Sequence, residues 1–323
     1  MIRALVIGKF MPVHKGHLAL IEFACSHCDE LIVSMSYTPD DPIPGALRFE
    51  WLKDAIGVQS KAKVFMMRDD FDDESLPLET RTANWSTFIQ RIYPRIDVVV
   101  SSELYGEPFA RHLMARHVLF DAERKQVPVS ATLIRSRPLT YWDFIAAPAR
   151  PWFVRKICIY GPESTGKSTL TRRLAERFHT AFVPEVAREM LVSNDFTVDD
   201  IIAIGKAHDK RIDQEVRRAN RLLFCDTDVI TTQIYAQHYL GVVPDILFAL
   251  ERKTSYALYF LLDVDVPWVA DGLRDLGDRR AEMMHLFRQA LVDRHIPFVN
   301  VKGDFDVREQ IMVDAIKALV SGN

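Results

Sequence analysis

The sequence predicts an α/β protein with mainly parallel sheets, divided into two domains. Three observations predict it. Short apolar runs alternate with helical patterns along nearly the whole chain, as parallel βαβ units require, and such sheets bind ligands at the carboxyl ends of their strands. The alternation breaks at Ala146–Pro151, where two prolines fall within four residues. Each half then carries its own glycine-bearing segment at the end of its first strand, at Gly8 and at Gly161. Domains are expected at 1–148 and 149–323, which agrees with a length of 323 residues better than a single α/β barrel does.

Each element has a local justification. In the first half, Arg3–Gly8 is a buried strand ending at glycine, Leu18–Ala24 a helix, and Leu31–Ser36 a second strand. A helix over Arg48–Ile56, a short strand over Lys63–Met66 and a helix over Trp85–Tyr93 follow, with an acidic loop at Asp69–Glu74 and another strand at Asp97–Ser101. In the second half the strands are Arg155–Tyr160, Leu222–Cys225, Leu258–Leu262 and Pro297–Val301, with a helix from Thr169 onward. No repeat of 20–50 residues is present, so the halves are two different domains.

Composition narrows the function classes. Lys and Arg number 41 and Asp and Glu 44, a formal charge of −3, which is no footprint for a dedicated nucleic-acid binder. Hydrophobic residues make up 48% and charged residues 26%, enough for a packed core. Four cysteines in so long a chain argue against a disulfide scaffold, and Cys25 and Cys28 read as small apolar helix positions rather than half a zinc site. No apolar run spans a bilayer and no signal peptide is visible, so a cytoplasmic protein without membrane partners is expected. A homo-oligomer is compatible with all of this.

Two motifs carry chemistry. Gly161-Pro162-Glu163-Ser164-Thr165-Gly166-Lys167-Ser168 fits G-x-x-x-x-G-K-[ST] between a strand and a helix that continues at Thr169. The glycines let backbone N–H groups close around ATP phosphates, Lys167 reaches the outer phosphates, and Ser168 would ligate Mg²⁺. Asp226 ends an apolar strand, where such proteins hold their metal, and Asp228 lies two residues on, either for a substrate hydroxyl or as a helix cap. Glu185 and Arg188 either grip a hydroxylated nucleoside or form a surface i, i+3 pair. Arg274, with Arg279 and Arg280 beyond, either offers cations for transferring charge or belongs to a solvated helix face. In the first half, Gly8-Lys9-Phe10-Met11-Pro12-Val13-His14-Lys15-Gly16-His17 fits G-x-F-x-P-x-H-x-G-H. His14 and His17 share one side of a helix entry turn, where imidazole donors suit nucleotide phosphates.

The second motif resembles that of the nucleotidyltransferase superfamily, whose later signature S-x-T-x-x-R is matched by Ser130, Thr132 and Arg135. The order of a transferase followed by a P-loop kinase is similar to the NadR-like bifunctional proteins, along nearly the whole chain, including Trp85, Ser101–Glu103, Tyr141–Ile145, Asp226–Asp228 and Trp268–Arg274. The resemblance implies a Rossmann-like nucleotidyltransferase domain followed by a P-loop NTPase-type kinase domain. It implies that the kinase makes nicotinamide mononucleotide (NMN) from nicotinamide riboside, and that the transferase joins NMN to ATP, giving NAD and pyrophosphate. ATP and Mg²⁺ would serve both halves.

The implied roles follow residue by residue. Lys9, His14, His17 and Arg135, all cationic or hydrogen-bond donors, would offset the charge of two polyanions, with Gly8, Phe10, Gly16, Ser130 and Thr132 around ATP. Arg135 would act from a second helix N-terminus, and Trp85 would stack on nicotinamide, unless it is a core tryptophan. In the kinase, Lys167, Asp226 and Arg274 would be catalytic, with Asp226 as base or metal ligand, and Glu185, Arg188 and Asp228 would hold the nucleoside. Two departures stand out. The family's helix-turn-helix has no room before the first strand, and Pro184 and Arg211 stand where the family's ring-stacking aromatics fall. The alternatives are a transferase–kinase fusion for another phosphorylated metabolite and nucleoside, or a non-catalytic ATP or NAD sensor.

Overall fold

The computed structural model describes residues 1–57, 61–70, 72–193, 195–269 and 275–322. They form two compact units, Met1–Arg150 and Pro151–Gly322. The first runs β1 (Arg3–Gly8), α1 (Lys15–Cys25), β2 (Glu30–Tyr37), α2 (Gly45–Ile56), β3 (Ala62–Arg68), α3 (Leu78–Ile92), β4 (Val98–Ser101), α4 (Gly106–His112), β5 (Arg116–Leu119) and α5 (Ala131–Ser136). Its sheet is parallel throughout, in the Rossmann-like order β3-β2-β1-β4-β5. The order reverses at β1, so the crevice of an open α/β sheet opens where β1 ends, at Gly8. Ala4, Leu5 and Val6 are wholly buried, as expected of a strand covered on both faces.

Several elements differ from the sequence expectation, α3 and β5 among them. Helix α3 begins at Leu78, not Trp85, because its buried positions include Thr82 and Ser86 beside Ile89, a stripe too polar to register as hydrophobic periodicity. The edge strand β5 was not expected at all, since Arg116 and Leu119 are exposed and it carries no apolar run. Cys28 lies just beyond α1, buried, with its thiol donating to Ala24 O at 3.2 Å. Among the described residues no cluster of three or more His, Cys, Asp or Glu is placed to hold a metal.

The second unit runs β6 (Arg155–Tyr160), α6 (Lys167–Arg177), β7 (Phe182–Val183), α7 (Val186–Met190), α8 (Val198–Glu215), β8 (Leu222–Asp226), α9 (Val229–Leu240), α10 (Asp245–Lys253), β9 (Leu258–Leu262), α11 (Arg280–Asp293), β10 (Val299–Val301) and α12 (Phe305–Ser321). Its parallel sheet has the order β10-β9-β6-β8-β7, reversing at β6. Along β6, Ile157 and Ile159 face a core with Leu170, Phe224 and Ile316, while Cys158 and Tyr160 face another with Phe287 and Leu291. That alternation is the period of two of a strand with both faces buried.

Arg308, on the last helix, is wholly buried and donates to the carbonyls of Thr165 (2.7 Å), Gly303 (2.7 Å) and Asp263 (2.9 Å), and it pairs with Asp265. The loop after β6 is thereby fastened from behind by α12. Among the described residues no helix is long and apolar enough to cross a membrane.

Candidate active sites

The first site forms where β1 gives way to α1. His14 is the N-cap of α1, and its Nδ1 accepts the Gly16 N–H at 3.1 Å. A Cβ at residue 16 would stand 3.0 Å from that ring, so any larger residue would press on the imidazole that holds this bond. The His14 and His17 rings stack at 3.7 Å, and Phe10, buried, stands edge-on to His17 at 4.8 Å. Burial and then the Arg124 guanidinium push His14 down to about 4. Burial, His14 and Arg124 hold His17 well below the ordinary imidazole range.

The two histidines are therefore uncharged near neutrality, and of the two roles open to them, cation or donor, only donor remains. With Nδ1 accepting from Gly16, the proton of neutral His14 sits on Nε2, a donor turned from the backbone. In the ligand-free protein, an NMR titration of the His14 ring is expected to show a midpoint near 4 rather than 6.5. Because the folded value lies below the unfolded one, this group's contribution to stability is complete above pH 6.5. It is lost as pH falls toward 4, about 3 kcal/mol in all.

His14, His17, Phe10, Gly16, Ser130, Thr132 and Arg124 line one cavity of about 960 Å³. Gly8 and Lys9 line it too, and also line a second cavity of about 680 Å³ with Asp69, Asp72, Arg81 and Trp85. Trp85 is both core and cavity wall: its edge meets Tyr105 and Phe109 at 5.6 and 6.0 Å, while Arg81 lies over its ring at 5.4 Å. Against the effect of burial, hydrogen bonds from Arg81 at 2.8 and 2.6 Å hold the Asp72 carboxyl below its usual range. Ser130 caps α5 by accepting from Leu133 N at 3.2 Å. Arg135 is not at that helix's N-terminus but near its other end, and its guanidinium turns back to Met11 O (2.6 Å) and Thr132 Oγ1 (3.3 Å).

Sequence reasoning missed Arg48. It is wholly buried on α2, pairs with Asp41, and donates to the carbonyls of Lys9, Ser36 and Ile43. It thus fixes the backbone of the lysine between the two cavities.

The second site forms between β6 and α6. Gly161 has φ +144°, and a Cβ there would stand 2.9 Å from Leu262 O; Gly166 has φ +88°, and a Cβ would stand 2.7 Å from the Phe305 ring. Both positions exclude side chains on conformation and on space. Lys167 opens α6, whose N-terminus has no side-chain cap, leaving first-turn N–H groups for an anion. Lys167 Nζ donates to Pro162 O at 2.8 Å and Thr165 Oγ1 to the same oxygen at 2.9 Å. Ser164 is tied to Val269 by two bonds of 2.9 and 3.0 Å, and Arg280 donates to Ser164 O at 3.3 Å. Thr169 is exposed on the first turn of α6.

Asp226 ends β8 almost wholly buried, with Oδ1 unpartnered; burial and Glu185 push it up to about 6, against Lys167 and the Ser168 hydroxyl. Asp228 does not join it. It caps α9 by accepting from Thr231 N (3.0 Å) and Oγ1 (3.2 Å), and its other oxygen accepts from Tyr259 at 2.9 Å. The helix-cap alternative is thus the one realised, since both carboxylate oxygens are engaged. Arg274 lies outside the described residues, and Arg279 is an exposed partner of Glu282.

A cavity of about 760 Å³ opens on this loop, lined among others by Glu163, Glu185, Arg188, Thr227, Tyr235 and Tyr239. Glu185 and Arg188 are ion-paired at 2.6 Å and both face the cavity, which removes the contrast between binding pair and surface pair. Arg211 pairs instead with Glu189 at 3.0 Å, and neither it nor Pro184 lines the cavity. Aromatic surface comes from Phe196, Tyr235 and Tyr239, the last two with rings 22° from parallel. His208 adds one buried imidazole with Nε2 unpartnered, pushed down to about 4 by burial.

Comparison with known proteins places both units. A cytidylyltransferase-like family model matches residues 5–137, and an AAA-domain model matches residues 156–308. The trifunctional NAD biosynthesis/regulator proteins NadR of Salmonella typhimurium and of Escherichia coli are each 33% identical to this chain, over 98% of it and 82% of their own length. The nicotinamide-nucleotide adenylyltransferase of Thermococcus onnurineus is 29% identical over 48% of this chain and 83% of its own. A crystal structure of a NadR protein with NAD and AMP-PNP superposes with a TM-score of 0.81 at 22% identity, over 99% of this chain and 96% of that one, a likeness of fold. With a Rossmann-like nucleotidyltransferase fold and a P-loop fold in the same order, and this identity along nearly its whole length, the chain belongs to the NadR family.

Proposed function

We propose that this chain makes NAD in two steps. Its second unit would phosphorylate nicotinamide riboside with ATP to NMN, and its first would join NMN to the adenylyl group of ATP, releasing pyrophosphate. The observation that carries this reading is the pairing, in each unit, of a phosphate cradle with an adjoining cavity that holds an aromatic wall: Lys9, His14 and His17 beside Trp85, and Gly161–Ser168 beside Tyr235 and Tyr239.

In adenylyl transfer the nucleophile is the phosphate of NMN, already anionic, so no base is needed and the work is positioning and charge neutralisation. His14 and His17 give hydrogen bonds to ATP phosphates without carrying charge into the free site, and Lys9 and Arg135 supply the charge. Trp85 offers a face for the nicotinamide ring. In the kinase, Lys167 draws the outer phosphates into the loop, while Glu185 and Arg188 take the ribose hydroxyls. Ser168 and Asp226 suit Mg²⁺, since a hydroxyl faces a buried carboxylate whose Oδ1 has no partner and the ion accepts such hard oxygen donors. Bound there, it would neutralise phosphate charge.

Incubating the protein with nicotinamide riboside, ATP and Mg²⁺ should yield NAD, with NMN as the intermediate seen by chromatography. Nucleotide binding without turnover would favour the sensor; turnover of another nucleoside would favour the altered fusion.

A further inference from the structure

Phosphorylating a neutral hydroxyl calls for a carboxylate that can orient it and take its proton. Of the described carboxylates near the P-loop, most are placed otherwise, Asp275 by accepting from the Tyr239 hydroxyl. Asp228 caps α9 and holds Tyr259. Asp226 faces Ser168 and is absent from the wall of the acceptor cavity. Glu185 is paired with Arg188. Glu163 differs from all of them. It is the third residue of the loop that would cradle the phosphates, yet its side chain lies on the acceptor cavity with Glu185, Thr227 and Tyr235. Its carboxylate faces the Leu276 N–H, and Oε2 is closed off from solvent with no hydrogen-bond partner. A shielded carboxylate oxygen with nothing to accept from costs stability unless a ligand supplies the donor.

We propose that Glu163 accepts the hydrogen bond, and then the proton, of the acceptor's hydroxyl during phosphoryl transfer. The inference rests on the reading of this cavity as the kinase acceptor site. The hydroxyl oxygen forms the new bond to the γ-phosphorus of ATP. The bond from that phosphorus to the β,γ-bridging oxygen breaks, and its electron pair leaves with ADP. The hydroxyl proton passes to Glu163 Oε2 and from there to solvent. Because Glu163 belongs to the cradle, its carboxylate keeps its place relative to the phosphate being attacked, which a side chain on a separate helix would not guarantee. Burial, with Asp275 and Glu185 nearby, pushes its carboxyl above the usual range, which makes it a better base.

The test compares Glu163→Gln and Glu163→Asp in the full-length protein, following ADP release with ATP, Mg²⁺ and nicotinamide riboside. Expected for Glu163→Gln is a fall in kcat of about 10²-fold, with the KM values for ATP and nucleoside within about twofold of wild type. Glu163→Asp, which keeps a carboxylate, should recover at least about tenfold of that loss. Unchanged ATP affinity and urea midpoint would show that the loop is intact. A kcat within about twofold of wild type, a loss confined to the KM for ATP, or equal activity of the two variants would overturn the assignment. If the wild-type protein phosphorylates a nucleoside other than nicotinamide riboside, the same ratios are measured with that nucleoside. The role of Glu163 then stands or falls separately from the identity of the substrate.

Discussion

Replacing Lys167 with alanine is expected to abolish phosphorylation of nicotinamide riboside, by about 10³-fold or more, and to leave NAD synthesis from NMN at its wild-type rate. The side chain is buried and its ammonium group rests on Pro162 O, within its own loop. It is thus held where arriving phosphates displace a neutral carbonyl rather than a competing carboxylate. Alanine removes the charge and the donor together while leaving the backbone cradle, whose shape depends on Gly161 and Gly166. Paired assays of one preparation settle the outcome: ADP release with nicotinamide riboside, and NAD formation from NMN. A parallel fall in both activities of a folded Lys167→Ala protein would contradict separate sites.

His17→Ala should give the opposite pattern, with NAD formation from NMN reduced by about 10²- to 10³-fold and the kinase untouched. The ring is wedged between His14 and Phe10, and its Nδ1 makes no hydrogen bond among the described residues. Loss of that ring also leaves a void, so His17→Asn belongs in the same experiment. If the imidazole matters as a donor, asparagine keeps more activity than alanine. If it matters only as filler between two rings, the two variants lose activity alike while their thermal midpoints differ.

What could be read in advance was set by how few residue types a given task allows. A turn with φ +88° packed against a ring accepts only glycine, so Gly166 and its neighbours announce a phosphate loop. A helix entry whose N–H is taken by an imidazole two residues back marks His14 and Gly16 in the same way. The acceptor cavity offered no such constraint. Tyr235 and Tyr239 reach it four residues apart on α9 and Phe196 from a loop, a spacing that an ordinary core-facing helix also shows, while Pro184 and Arg211, where the resemblance sets aromatics, lie off its wall. Glu163 was read only as part of the phosphate loop, and the role proposed for its side chain was not legible because the motif leaves that position free. Arg48 and Arg308 were hidden because an arginine in an amphipathic helix normally belongs to its wet face, and only the fold shows carbonyl oxygens converging on these two. The same difficulty applied to Asp228, where cap and catalyst share one residue type and only the bonds to Thr231 and Tyr259 separate them.

The fastening of the P-loop by Arg308 bears on the entropy of binding. A free loop from Pro162 to Gly166 would have to be ordered as the nucleotide arrived, at about 1–2 kcal/mol per residue. Over those residues that is about 5 kcal/mol or more, some four powers of ten in affinity. Here Arg308 holds Thr165 O, Arg280 holds Ser164 O, and Lys167 with Thr165 holds Pro162 O before any ligand is present. The ordering cost is met when the polypeptide folds rather than when it binds. Nucleotide affinity at this site then reflects phosphate contacts directly, and a change in α12 that loosened Arg308 would weaken ATP binding through the loop backbone it holds.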